Sequence, residues 1–96
     1  MRLLFIIVEA SVEHRVIEIL ERCGAPGHTR FTGATGDGKR GRREGTSIWP
    51  GLNTLLIAAM PEEIVPLVNE SLQKLEDERG GRLAVKVFAV PAEEYL

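Results

Sequence analysis

Positive charge and glycine are crowded together in one short stretch of this chain. Between Gly33 and Thr46, in the run GATGDGKRGRREGT, stand five of its ten glycines and four of its twelve basic residues, Lys39, Arg40, Arg42 and Arg43. Guanidinium forks and ammonium groups at this density suit a phosphate or a carboxylate, which arginine can hold through two parallel hydrogen bonds. Gly36 and Gly38 would let the backbone approach such an anion closely. Glu44 and Asp37 supply local counter-charge, so a plain solvated loop is the bland alternative. Nothing in the run is apolar and larger than alanine, so it has no core of its own. We expect a mobile loop over about 33–47, ordered only when something anionic binds.

Lys86 is the only charged residue in the apolar run Leu83 to Val90. A buried ammonium without a partner is costly, so it must reach water, a carboxylate or a bound anion. On chemistry alone a phosphate ligand and a snorkelling edge lysine are equally good accounts. His14, Cys23 and His28 are metal ligands by type, but none pairs at a spacing such as H-x-x-x-H or C-x-x-C. They are weak candidates, and no metal site is assigned. Glu93 and Glu94 are adjacent in an extended tail and point apart. No nucleophile with a base beside it is legible, and the chain is read as a non-enzyme.

The elements that must position these residues follow from periodicity. Leu3 to Val8 is a continuous apolar run, the mark of a buried strand. Ser11 offers a helix N-cap. Val12, Val16, Ile19, Leu20 and Cys23 recur at helical spacing, with Glu13, Arg15, Glu18, Glu21 and Arg22 opposite. Gly24 ends that helix. His28 to Thr32 reads as an edge strand running into the glycine-rich loop, and Leu52 to Met60 as a second apolar strand. Pro61-Glu62-Glu63 opens a second helix with the stripe Ile64, Val68, Leu72 and Leu75, and Pro66 is tolerable if it falls in the first turn. Gly80-Gly81 breaks the helix, and Leu83 to Val90 is the last strand.

The order is β-α-β-β-α-β, a ferredoxin-like α+β pattern. It predicts one domain over 1–96: a four-stranded antiparallel sheet, two helices on one face, and a long loop between the second and third strands. Two helices cover one face only. Yet the first strand is apolar on both alternating sets, Leu4, Ile6 and Val8 against Leu3, Phe5 and Ile7. An exposed apolar face of that extent is a liability, so another subunit should cover it. Burying roughly 500 Å² of apolar area per chain would contribute on the order of 12 kcal/mol before association costs.

Composition bounds the partners. An apolar fraction of 44% is that of a globular protein, and a net charge of -2 does not suit coating nucleic acid. The basic loop also lacks interleaved aromatics for base stacking, so no nucleic acid is expected. A single cysteine, Cys23, leaves no internal disulfide. The apolar start is followed at once by Glu9 and Glu13 and is too short to span a bilayer. The expected setting is cytoplasmic, with no membrane-spanning segment.

Order, loop and short motifs together resemble the nitrogen-regulatory PII proteins and their PII-like relatives. Gly24-Ala25-Pro26-Gly27-His28-Thr29 is similar to the family's G-x-x-G-x-T turn. Gly36-Asp37-Gly38-Lys39-Arg40 is similar, with a one-residue shift, to the G-x-G-R-Q start of its T-loop. The segment from Lys86 to Glu94, KVFAVPAEE, is similar to K-I-F-V-x-P-x-E-E.

The resemblance implies a signalling homotrimer with sheets facing inward. It implies clefts between subunits that read ATP, ADP or a related nucleotide, and a T-loop that grips a partner protein such as a transporter or an enzyme. It tips Lys86 toward a phosphate ligand, beside Gly36, Gly38, Lys39 and Arg40, and assigns Arg42, Arg43 and Glu44 to partner contact. A metal-responsive trimer of the same fold, using His14, Cys23 or His28, is the alternative. The chain also departs from the family. Where the family has T-G-x-x-G-D-G-K, Arg79 to Lys86 keeps the lysine and lacks the G-D-G. The T-loop tyrosine of Y-x-G is missing, the only tyrosine being Tyr95. Glu94 is not followed by the family's arginines.

Overall fold

The structure, a computed structural model, describes residues 1–35 and 52–96. Its strands are β1 (Arg2–Glu9), β2 (Thr29–Ala34), β3 (Asn53–Met60) and β4 (Val85–Pro91), and its α-helices are α1 (Glu13–Arg22) and α2 (Val65–Glu78). One sheet holds all four strands in the order β2-β3-β1-β4, every pair antiparallel. The two most apolar strands are therefore central, and the fold is ferredoxin-like, as the element order predicts.

Alternation along the strands separates two faces. Leu4, Ile6 and Val8 of β1 and Leu56, Ala58 and Met60 of β3 are buried beneath the helices. Val12, Val16, Ile19 and Leu20 from the α1 side, and Val68, Leu72 and Leu75 of α2, close that core. Leu3, Phe5 and Ile7 point the other way. In register with them are Leu55, Ile57 and Ala59 on β3 and Lys86, Phe88 and Val90 on β4. Phe31 of β2 faces Leu55. This second face is apolar and is not covered by a helix among the described residues: Phe88 is 56% exposed and Phe31 49%.

The helix boundaries carry one correction. Ser11 does not cap α1. Ala10–Val12 form a 3-10 turn, Val12 holds the N-cap position without a side-chain bond, and the Ser11 hydroxyl donates to Glu9 Oε2 at 2.9 Å. A carboxylate two residues upstream outcompetes the helix amides for that hydroxyl. At the other end Gly24 N–H donates to Glu21 O and Ala25 N–H to Leu20 O, a Schellman closure. α2 closes in the same way, Gly80 N–H to Asp77 O and Gly81 N–H to Glu76 O, with φ of 67° and 75° at the two glycines. Pro66 falls in the first turn of α2, where its missing donor costs nothing. No helix among the described residues is long and apolar enough to cross a membrane.

Candidate functional site

The chemistry gathers at the sheet end where β1 finishes and β3 and β4 begin. Lys86 is the second residue of β4 and lies opposite Ile7 of β1, so it stands on the uncovered face with Phe5, Phe88 and Val90. It is exposed, and among the described residues it has no ion-pair partner. Edge-strand placement solves the desolvation problem raised by its sequence: the residue is exposed, and a lysine there can keep its ammonium in solvent. An ammonium held this way is available to an anion.

Three further groups build this end of the sheet. The Glu9 backbone N–H donates to Ala84 O at 3.3 Å, and Ala84 N–H donates back to Glu9 Oε1 at 3.2 Å. Both polar groups of the Ala84 backbone are thus held by one residue, so the turn through Gly80 and Gly81 is tethered before Lys86. Ala10 N–H donates to Leu52 O at 2.9 Å, which holds the start of β3 to the same junction. Glu13, in the first turn of α1, accepts from Arg30 Nη1 of β2 at 2.6 Å and from the hydroxyl of Thr54 on β3. Thr54 is the one fully buried polar side chain among the described residues, and that bond satisfies it. Glu13 therefore clamps together the two strands between which the glycine-rich segment runs.

Glu9 and Glu13 escaped the sequence reading, which saw one as the end of an apolar run and the other as a solvated helix position. Four-residue spacing across the β1–α1 junction was the available signal. Their partners lie 75 and 41 positions away in the chain, beyond any local pattern.

The remaining candidates scatter. His14 and His28 are exposed, on α1 and just before β2, and Cys23 is half-buried, 3.8 Å from the Ser71 hydroxyl across the helix pair. No three His, Cys, Asp or Glu side chains among the described residues are grouped to hold a metal ion. Gly36, Gly38, Lys39, Arg40, Arg42, Arg43 and Glu44 lie outside the described residues. A shallow apolar groove of about 410 Å³ runs between α2 and β4, lined by Leu4, Val65, Pro66, Val87 and Ala89 among others. It opens on the helix side of the sheet, on the opposite face from Lys86, and carries no ionisable group.

The family model for nitrogen regulatory protein P-II matches residues 1–96. No curated protein matches the chain. Among solved structures, a PII-like signaling protein from Thermus thermophilus is 32% identical, over 93% of this chain and 83% of that one, with a TM-score of 0.63. CPII from Thiomonas intermedia, bound to ADP and bicarbonate, is 27% identical over 93% of this chain and 82% of that one, with a TM-score of 0.71. The same protein bound to ADP, AMP and acetate gives 24% identity over 97% and 88%, again at 0.71, a likeness that speaks for the fold.

Proposed function

The chain belongs to the nitrogen regulatory protein P-II family, and from that premise we propose that it is a non-catalytic sensor of an adenine nucleotide or a related anionic metabolite. The observation that carries this reading is Lys86, the sole cation of β4, standing exposed and unpaired among the described residues on an apolar sheet face. The ADP carried by CPII, a PII-like relative of the same fold, supports a nucleotide as the anion.

In this reading the uncovered face is closed by two further copies, giving a homotrimer. Burial of Leu3, Phe5, Phe31 and Phe88 drives that assembly. Lys86 then comes to the rim of a cleft between subunits, where the surrounding protein lowers the dielectric and strengthens its hold on phosphate. The segment carrying Gly36, Gly38, Lys39 and Arg40 adds backbone donors and positive charge from the loop, and Arg42, Arg43 and Glu44 are left to meet a partner protein such as a transporter or an enzyme. Ligand binding would reach the partner by ordering that segment. Cytoplasmic placement belongs to the same proposal.

The test is direct. ADP at millimolar concentration raises the melting temperature of the wild-type protein, and Lys86→Ala abolishes the shift while native mass spectrometry records an unchanged subunit count. An undiminished shift in the variant rejects Lys86 as ligand. No shift in the wild type with any adenine nucleotide rejects the nucleotide.

A further inference from the structure

We infer that Glu9 sets the charge selectivity of the Lys86 site, holding it toward ligands with fewer negative charges. The inference rests on the nucleotide reading above. Glu9 continues the odd-numbered series of β1 that includes Ile7, and Ile7 is the cross-strand partner of Lys86. Glu9 and Lys86 are therefore diagonal neighbours across the β1–β4 pair, a relation that sets residues roughly 7–8 Å apart.

The Glu9 carboxylate is not free to swing away. Oε1 accepts the Ala84 amide at 3.2 Å and Oε2 the Ser11 hydroxyl at 2.9 Å. Two consequences follow. The Ala84 N–H, a donor two residues before Lys86, is already taken by a carboxylate built into the protein. The carboxylate also repels an approaching anion, offsetting part of the attraction of Lys86. If the ligand's charge sits about 8 Å from the carboxylate, a unit charge there changes affinity by about two- to threefold per unit of ligand charge, at the dielectric of water. The penalty therefore grows with each added phosphate.

The experiment compares AMP, ADP and ATP by isothermal titration calorimetry, in magnesium-free buffer of constant ionic strength, on the wild type and on Glu9→Gln. The amide can still accept the Ala84 N–H through its carbonyl oxygen, so the substitution removes charge and spares the tether. The ratio of the ATP to the AMP dissociation constant should fall by about fivefold in the variant. Asn53→Asp, which adds a carboxylate at the position opposite Glu9 on β3, should move the ratio the other way. It keeps the question answerable if Glu9→Gln does not fold. An unchanged ratio in proteins that all bind nucleotide overturns the role of Glu9 and leaves the nucleotide reading standing. Absence of binding by the wild type to all three overturns both.

Discussion

The two faces of this sheet are built from the same residue types and have opposite fates. On β1, Leu4, Ile6 and Val8 lie beneath α1 and α2 and are almost wholly buried. Leu3, Phe5 and Ile7, one residue out of phase, are left open. The covered face is closed by the chain's own helices, so its contacts maintain the fold. Among the described residues no helix covers the open face, and in the proposed trimer its contacts serve assembly. Lys86 belongs to the open face, so the proposed ligand site would draw on assembly more than on the fold. The lesson is that apolar character alone does not tell a folding contact from an association contact; the count of helices does.

The comparison can be broken most severely on the covered side. Leu56→Ala, at a position with no exposure, should lose about 2–5 kcal/mol in urea unfolding, because a buried leucine leaves both lost burial and a cavity. A loss under about half a kcal/mol, the range of ordinary surface substitutions, would mean that the helices do not close this face. On the open side, Phe88→Asp should leave the circular dichroism of the single chain intact and weaken self-association by about thirtyfold or more in sedimentation experiments, the effect of placing a charge at an interface anchor. An unaltered assembly would show that this face is not where copies meet. Smallest of all, Arg15→Ala removes the exposed pairings with Glu78 at 3.4 Å and Glu18 at 4.0 Å. It should cost about 0.2–1 kcal/mol by calorimetry, since solvent screens both partners. A larger cost would make the α1–α2 surface a brace in its own right.

The sheet order, both helices and the two-sided apolar character of β1 were legible in the residues, because period-2 and period-3.6 patterns are written into consecutive positions. Lys86 was legible as the lone charge of its strand, but the face it shares with Phe88 and Val90 was read only from the register with β1. The brace at the sheet end was not legible. Glu9 reaches Ala84, and Glu13 reaches Thr54 and Arg30, only because the fold returns distant strands to one place. Ser11 misled for the same reason: its sequence neighbours promise a cap, and its hydroxyl is claimed by Glu9. For Cys23 and the two histidines, residue type outran geometry, since type alone cannot say whether ligands converge.

The pairing of β2 with β3 has one further consequence. Phe31 stands opposite Leu55, and Ala34 opposite Asn53, so β2 spends one residue more than its partner over that interval, with Gly33 at φ 72° inside it. The surplus residue is a half-step in a staircase: it inverts the parity of β2, so Phe31 and Ala34 share a side although three positions separate them. Removing one residue there would straighten the ladder and leave Ala34 opposite Asn53, on the side of Phe31 by simple alternation. The side on which β2 presents its last residue, Ala34, is thus written at Gly33.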